Sequence, residues 1–206
     1  MKVLMINGSP NDNGCTKRAL NEIETILHKE NIETEIIDLG KAPIRDCVAC
    51  RICKDTGKCV FIDDIVNETI EKASTADGFI FGSPVYYAHP SGRLISFLDR
   101  VFYAGSRNFA FKPAAAIVSA RRAGTSASID VINKYFMISN MPIVPSNYWN
   151  MVHGNKPEQV EQDLEGLQTM RIVANNMIWM LKSFELAKQQ NIVPTKENKI
   201  MTNFIR

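Results

Sequence analysis

The sequence predicts an α/β fold in which one parallel β-sheet is covered by helices on both faces. Five short apolar runs alternate with segments whose apolar residues recur at helical spacing, and this alternation is typical of parallel sheets. The run at residues 78–83 has continuous apolar character, as expected for a strand that is covered on both sides. The first run, at residues 3–6, leads through a polar, glycine-containing loop into an amphipathic helix. This strand–turn–helix unit is the segment around which the rest of the fold is predicted.

The first half of the chain is predicted to alternate strands and helices around one irregular insertion. The predicted elements are a strand at 3–6, a helix with Ala19, Leu20, Ile23, Ile26 and Leu27 on one face, a strand at 33–39, an irregular segment at 40–62, a helix from residue 63 or 64 to 76, and a strand at 78–83. The pair Asp63 and Asp64 favours a helix start there, because acidic side chains stabilise the first turn through the helix dipole.

The second half continues the same alternation. It is predicted to contain a helix at 91–103, a strand at 113–120, a loop at 121–126, a helix at 128–138, a short strand at 141–144 and a long helix at 163–188. Right-handed crossovers leave few topologies, of which we favour the order 2-1-3-4-5, a flavodoxin-like three-layer sandwich with a five-stranded parallel sheet. We expect one domain over residues 1–190, with the cysteine-rich segment 40–62 inserted, and a C-terminal tail over 191–206.

Composition narrows the classes of function. The chain has 206 residues, 45% of them hydrophobic, which is enough to bury one core, and a net charge of +2. The charges are interspersed, so no basic surface indicates a nucleic-acid partner. No apolar run is long enough for a membrane span, and the N-terminal run is too short for a signal peptide. We therefore expect a soluble, cytoplasmic protein.

The loop that follows the first strand has the chemistry of a phosphate site. The backbone N–H groups of a helix's first turn lack internal partners, and the dipole places partial positive charge there. Side-chain donors come from Ser9, Asn11, Asn13 and Thr16. The sequence matches neither G-x-x-x-x-G-K-[ST] nor G-x-G-x-x-G, so a single terminal phosphate fits better than a nucleoside triphosphate or a dinucleotide. The alternative interpretation is an ordinary turn between a strand and a helix.

Two further loops are predicted at the same edge of the sheet, where ligands of such folds bind. The first follows the strand at 78–83 and places Pro84 beside Tyr86 and Tyr87, whose rings can cover a flat heterocycle or simply pack. The second carries Arg121 and Arg122, which either offset negative charge on a ligand or are solvated.

Four of the five cysteines lie within 13 residues. Cys47, Cys50, Cys53 and Cys59 have the spacing C-x2-C-x2-C-x5-C, and its opening half matches the run found in ferredoxins. Structural zinc more often uses two separated C-x2-C pairs, so zinc is the weaker metal interpretation. A metal-free thiol loop is the other alternative. Cys15 lies apart at a helix N-terminus, where it is either a loop residue or a redox-active thiol.

Several separated motifs together resemble the NADPH-dependent FMN reductase and iron-sulfur flavoprotein group of flavodoxin-like proteins. The resemblance covers residues 1–181. The matching motifs are Asn7–Pro10, Asn13–Thr16, Gly82–Tyr86, Phe97–Arg100, Arg121–Gly124 and Tyr148–Asn150.

This resemblance implies a cofactor and the residues that hold it. It assigns the FMN phosphate to the first loop, with Ser9, Asn11, Asn13, Gly14, Cys15 and Thr16. It places Pro84, Val85, Tyr86 and Tyr87 beside the isoalloxazine ring and closes the loop of Arg121, Arg122 and Gly124 over it. At Cys15 a small polar residue is more usual in the family, which weakens a side-chain contact there but leaves a backbone contact. The compact cysteines look like the [4Fe–4S] motif of iron-sulfur flavoproteins, although many relatives with similar cysteines are treated only as FMN proteins.

The leading hypothesis is therefore an FMN-dependent oxidoreductase. It would move electrons from NAD(P)H or a reduced protein donor to a quinone, a flavin or another small acceptor, with a [4Fe–4S] cluster as a candidate second centre. No catalytic side chain is required, because the cofactor carries the chemistry. The alternatives are a flavodoxin-like electron carrier without turnover of its own and a non-redox module. The resemblance also implies a homo-oligomer, a dimer or tetramer. The apolar residues of the helix at 163–188 either pack into the chain's own core, which is the favoured interpretation, or contribute contact surface.

Overall fold

The computed structural model describes residues 1–198, 200–202 and 204, and its elements follow the predicted alternation. The strands are Lys2–Asn7 (β1), Glu33–Asp38 (β2), Gly78–Tyr86 (β3), His89–Pro90 (β4), Ala114–Ala120 (β5) and Met151–His153 (β6). The helices are Cys15–Lys29 (α1), Cys53–Thr56 (α2), Val66–Thr75 (α3), Gly92–Gly105 (α4), Thr125–Ile138 (α5), Pro157–Val160 (α6) and Leu164–Gln189 (α7). A short 3-10 helix, Ser106–Asn108, follows α4.

Five of the strands form a parallel sheet in the order β2-β1-β3-β5-β6. Counted as parallel strands, this is the predicted 2-1-3-4-5 order, so the flavodoxin-like fold is confirmed. The sixth strand, β4, is short and pairs antiparallel with the end of β3 through Val85 and Tyr86. It was not predicted, because its two residues lie in a segment that the sequence marks only as a turn.

Alternation along the strands separates two cores, one on each face of the sheet. In β1, Leu4 and Ile6 face the layer of α3, α4 and α5, while Val3 and Met5 face the layer of α1 and α7. All four side chains are fully buried. Burial on both faces explains why this strand is a continuous apolar run. The parallel pairing of the strands places their carboxyl ends at one edge of the sheet.

The position of the fifth parallel strand was predicted incorrectly. Residues 141–144 make only one bridge, between Ile143 and Ala114, and the strand that completes the sheet is β6, which pairs with the end of β5. Pro142 and Pro145 flank the bridge, and neither can donate a hydrogen bond to a ladder. The chain therefore leaves the sheet after Val144 and returns at Met151.

Other boundaries differ by a few residues. Strand β3 continues through Pro84 to Tyr86, and α5 begins three residues earlier than predicted. Helices α2 and α6 are single turns with no predicted counterpart. The described part of the predicted tail 191–206 contains no helix or strand, and residues 199, 203, 205 and 206 lie outside the described residues. Within the described ranges, we find no helix with the length and apolar character that a membrane crossing needs.

Candidate functional site

The loops that follow β1, β3, β5 and β6 meet at the carboxyl edge of the sheet and enclose a cavity of about 420 Å³. This is the place where open α/β sheets bind ligands. The cavity is lined by Ser9, Asn11, Asn13, Gly14, Cys15, Thr16, Pro84, Val85, Tyr86, Ser119, Ala120, Arg121, Gly154, Asn155, Lys156 and Pro157. The structure thus brings together residues from every segment of the predicted FMN site.

One end of the cavity is the N-terminus of α1. Gly14 occupies the cap position and provides no side-chain cap, so the first-turn N–H groups of Cys15 and Thr16 are free to meet a ligand. Partial positive charge accumulates at such an end, and hydroxyl and amide groups from the preceding loop surround it. A set of backbone N–H, hydroxyl and amide donors fits a phosphate monoester.

Short side-chain contacts fix the shape of this loop. The buried Asn7 donates to Asp38 Oδ1 at 2.8 Å and accepts from the backbone N–H of Ser9 at 3.2 Å. Ser9 Oγ in turn accepts from the N–H of Asn11 at 3.1 Å. The bond to Asp38 joins the end of β1 to the end of β2. The loop is therefore held in shape by side chains buried at the sheet edge.

The loop after β3 is a tight hairpin rather than an irregular loop. Tyr87 and Ala88 form its turn with φ of 50° and 59°, which returns the chain through β4. Ser91 anchors the returning chain: its N–H donates to Ser83 Oγ at 2.9 Å and its hydroxyl donates to the carbonyl of Gly8 at 2.8 Å. These bonds join the second loop directly to the first.

Three predicted FMN contacts, Tyr87, Arg122 and Gly124, are absent from the cavity wall that the described residues form. Tyr87 is fully exposed because the hairpin turn directs it to solvent, and Arg122 is also exposed. Gly124 lies against Ala88 and Val85, where it supports the hairpin from behind. Arg121 does line the cavity.

The fourth wall of the cavity was missed by sequence reasoning. It consists of Gly154, Asn155, Lys156 and Pro157, which connect β6 to α6. The thiol of Cys15 donates to the Gly154 carbonyl at 3.5 Å, so this wall touches the phosphate loop. The turn Gly-Asn-Lys-Pro after an apolar run was a usable signal, but the misplaced fifth strand put the wrong residues at the sheet edge.

The four clustered cysteines line a second cavity, of about 100 Å³. Cys47, Cys50, Cys53 and Cys59 surround it together with side chains that include Phe61 and the buried Arg100. No group of three or more Cys, His, Asp or Glu side chains in the described ranges is arranged around a single metal ion. Four thiols on one cavity are the donor set that an iron-sulfur cluster would use.

The thiols of the second cavity lie close enough together to affect one another's ionisation. Burial raises the pKa of the Cys53 thiol, and the nearby Cys50, Cys47 and Cys59 raise that pKa further. The Arg100 guanidinium, which is ion-paired with Asp64, also donates from Nε to Cys59 Sγ at 3.2 Å. The site therefore combines four thiols with a buried, ion-paired arginine.

Comparisons with known proteins identify relatives of this chain. An iron-sulfur flavoprotein of Methanocaldococcus jannaschii is 33% identical over 193 residues, which cover 88% of this chain and 98% of that protein. An iron-sulfur flavoprotein of Methanosarcina thermophila is 28% identical over 186 residues, covering 88% and 96%. The solved structure of a flavodoxin from the domain Archaea has a TM-score of 0.60 at 15% identity and covers 88% of this chain and 99% of that one. This last likeness supports the fold.

The family model described as NADPH-dependent FMN reductase matches residues 1–156, a range that contains all three cavity-forming loops of the prediction and the cysteine cluster. Its match ends at Lys156, inside the wall that follows β6. The protein thus belongs to the NADPH-dependent FMN reductase family and is an FMN-dependent oxidoreductase.

Proposed function

We propose that the protein takes electrons from NAD(P)H or a reduced protein donor and passes them to a quinone, a flavin or another small acceptor, and that it carries a [4Fe–4S] cluster. FMN, when bound, supplies both hydride and single-electron chemistry. One observation carries the proposal: the phosphate loop, the hairpin after β3 and Arg121 line one cavity at the sheet edge. The family membership and the names of the two relatives support the choice of cofactors.

The chain's own residues have separate tasks at the proposed FMN site. The phosphate is held by backbone and side-chain donors and the ring lies against the hairpin, with Arg121 offsetting negative charge. The proposed phosphate contacts are Ser9, Asn11, Asn13, Gly14, Cys15 and Thr16, and the proposed ring contacts are Pro84, Val85 and Tyr86. Tyr87, Arg122 and Gly124 are not among the proposed contacts, because they lie outside the wall.

Lys156 is a cationic residue that this structure adds to the cavity wall, in the segment whose Gly154 carbonyl contacts Cys15, so we propose that it faces the phosphate. Lys156→Ala is expected to weaken FMN binding about fivefold, which corresponds to ~1 kcal/mol for a solvent-exposed charge pair. Riboflavin has no phosphate, so its affinity should not change. Fluorescence titration of the apoprotein with both compounds measures this difference. Lys134→Ala, which removes an exposed lysine from α5, is the matched control. Equal losses for FMN and riboflavin would contradict the assignment.

The proposed cluster has its own test. Anaerobically purified protein is expected to contain iron and acid-labile sulfide in equal amounts and to show broad absorption beneath the flavin bands. Cys53→Ser should lose the iron while retaining FMN. Cys15→Ser is the matched control, because Cys15 lines the FMN cavity and not the cysteine cavity, and it should keep the iron. Protein without iron after anaerobic purification would contradict the cluster.

Turnover distinguishes the enzyme from an electron carrier. We expect steady-state oxidation of NADPH or NADH with a quinone or free FMN as the acceptor. A protein that binds FMN but oxidises neither nucleotide would be a carrier that depends on a separate reductase, and this result would overturn the nicotinamide part of the proposal.

A further inference from the structure

A buried arginine contacts the cysteine cavity, and nothing in the proposed function yet uses it. Arg100 lies on α4 at the end of the Phe97–Arg100 motif, with only 2% of its surface exposed. Its Nε donates to Cys59 Sγ at 3.2 Å, and its two terminal nitrogens form a forked ion pair with Asp64. The same nitrogens donate to the carbonyls of Arg45 at 3.3 Å and Phe61 at 3.4 Å. All five guanidinium N–H groups therefore have an acceptor.

These acceptors lie at both ends of the cysteine segment. Arg45 precedes the first clustered cysteine by two positions, and Phe61 follows Cys59 by two positions. The ring of Phe61 also lies 4.9 Å from the Arg45 guanidinium and 5.1 Å from that of Arg100. One side chain of α4 thus joins the start and the end of the segment to the core of the domain.

The contact with Cys59 has a chemical preference. A neutral thiol is a weak hydrogen-bond acceptor, whereas a thiolate bound to iron accepts strongly from a charged donor. Asp64 already neutralises the guanidinium, yet Nε is directed at sulfur rather than at another carbonyl. The Nε–H group of Arg100 therefore makes its strongest hydrogen bond when Cys59 is a thiolate ligand.

We propose that Arg100 is a positioning residue for the cluster: it holds Cys59 as a thiolate ligand and raises the reduction potential of the cluster. The proposal rests on the proposed [4Fe–4S] centre. Transfer of one electron from the donor to the cluster breaks no bond and moves no proton, but it adds one negative charge. Hydrogen bonds to the ligand sulfur stabilise that charge, and so the reduced state.

The test uses anaerobically purified holoprotein with three variants. Arg100→Lys keeps a positive charge beside Asp64. Its single ammonium group lacks the planar arrangement by which the guanidinium donates to Asp64 and Cys59 at once. Arg100→Met combined with Asp64→Leu removes the buried pair together, so no buried charge is left without a partner and the domain remains able to fold. Arg93→Lys is the matched control, because Arg93 also ties α4 to the loop before the cysteines, through the carbonyls of Ala42 and Lys41, without a contact to sulfur.

Iron content, the midpoint potential from an EPR-monitored redox titration and the rate of iron loss to a chelator are measured on protein with wild-type near-UV circular dichroism. We expect a more negative cluster potential and severalfold faster iron loss in Arg100→Lys and in the double variant, and neither change in Arg93→Lys. An unchanged potential in either folded Arg100 variant would overturn the inference while leaving the proposed function intact. Wild-type protein without iron would overturn both, and this failure would be visible before any variant is made.

Discussion

Gly124 affects the shape of the proposed FMN cavity because it has no side chain. Gly124 caps α5 with a φ of 89°, a conformation that side-chain-bearing residues rarely adopt. A Cβ atom there would run into the backbone of Ala88, within the turn that follows the proposed ring contacts. Gly124 therefore allows the hairpin after β3 to pack closely on α5.

Replacing this glycine tests that role. Gly124→Ala is expected to lower the free energy of unfolding by about 2 kcal/mol, because it adds backbone strain and displaces Ala88. FMN should also bind more weakly, since Val85 and Tyr86 belong to the same hairpin. Urea denaturation and FMN titration measure the two effects. Gly92→Ala is the control: a Cβ at Gly92 meets no atom within 4 Å, so little change is expected. Equal stability of the two variants would contradict the packing argument.

Several residues predicted to contact FMN line the cavity, and their contact with FMN stays a prediction. Ser9, Asn13 and Thr16 follow β1 directly, so their approach to the cavity is determined by the strand–turn–helix unit. Tyr87 and Arg122 are next to residues that do line the cavity, but a hairpin turn and an exposed loop direct them outward. A sequence motif shows which residues are adjacent in the chain. The backbone conformation of the turn then determines which of two adjacent side chains lines the cavity.

At the scale of elements, α1 is held against α6 and α7 by a charged network. Glu22 accepts from Arg18 at 2.8 Å and from Arg171 at 2.7 Å, and Arg18 also pairs with Glu161 beside α6. Burial opposes ionisation of Glu22, but the hydrogen bonds from Arg171 and Arg18 outweigh it and lower the pKa below the ordinary 4.5. The network thus fixes the helix whose N-terminus lines the cavity, at the end where we propose that the FMN phosphate binds.

This network predicts a dependence of stability on pH. Since the folded-state pKa of Glu22 is lowered, its contribution is present above about pH 4.5 and is lost as the pH falls through the lowered value. Glu22→Gln should reduce the free energy of unfolding by about 1 kcal/mol at pH 7, with a smaller difference from wild type below pH 4.5. Urea unfolding across this pH range is the measurement. Glu30→Gln is the control, because its pair with Lys182 is half exposed. A deficit that is the same at both ends of the range would contradict the ionic role.

At the scale of the whole molecule, α7 exposes large apolar side chains in addition to those that it buries in the core. Trp179 and Leu186, which are seven positions apart and therefore share one face of the helix, are 68% and 59% exposed. Large apolar side chains grouped on one helix face are typical of contact surfaces. They agree with the expectation of a homo-oligomer, which stays a prediction.

Trp179→Glu is expected to shift the protein toward smaller species at micromolar concentration, because it places a charge in the proposed contact. Sedimentation velocity measures the distribution of species. The control is Ser74→Glu, a new charge on the exposed end of α3, for which we expect the wild-type distribution. The contact surface would be wrongly assigned if both variants sedimented like the wild type, or if wild type itself were monomeric.

The handedness of crossovers selected the strand order. Local sequence was sufficient for the alternation of strands and helices, the two-sided core and the polar loop after β1. These features depend on the period of apolar residues and on the chemistry of one helix N-terminus, both of which are encoded within a few neighbouring positions. The family resemblance added the cofactor. The four cysteines were also recognisable, because close spacing along the chain already limits how far apart they can lie.

Tertiary structure alone decided which edge segment completes the sheet, which loop forms the fourth wall of the cavity and which cation faces Cys59. Residues 141–144 and β6 compete for the same edge of β5, and the outcome depends on prolines and packing partners far apart in the sequence. Arg100 and Cys59 are 41 positions apart, so no local pattern could pair them. Their contact exists because α4 and the cysteine segment pack on the same face of the sheet.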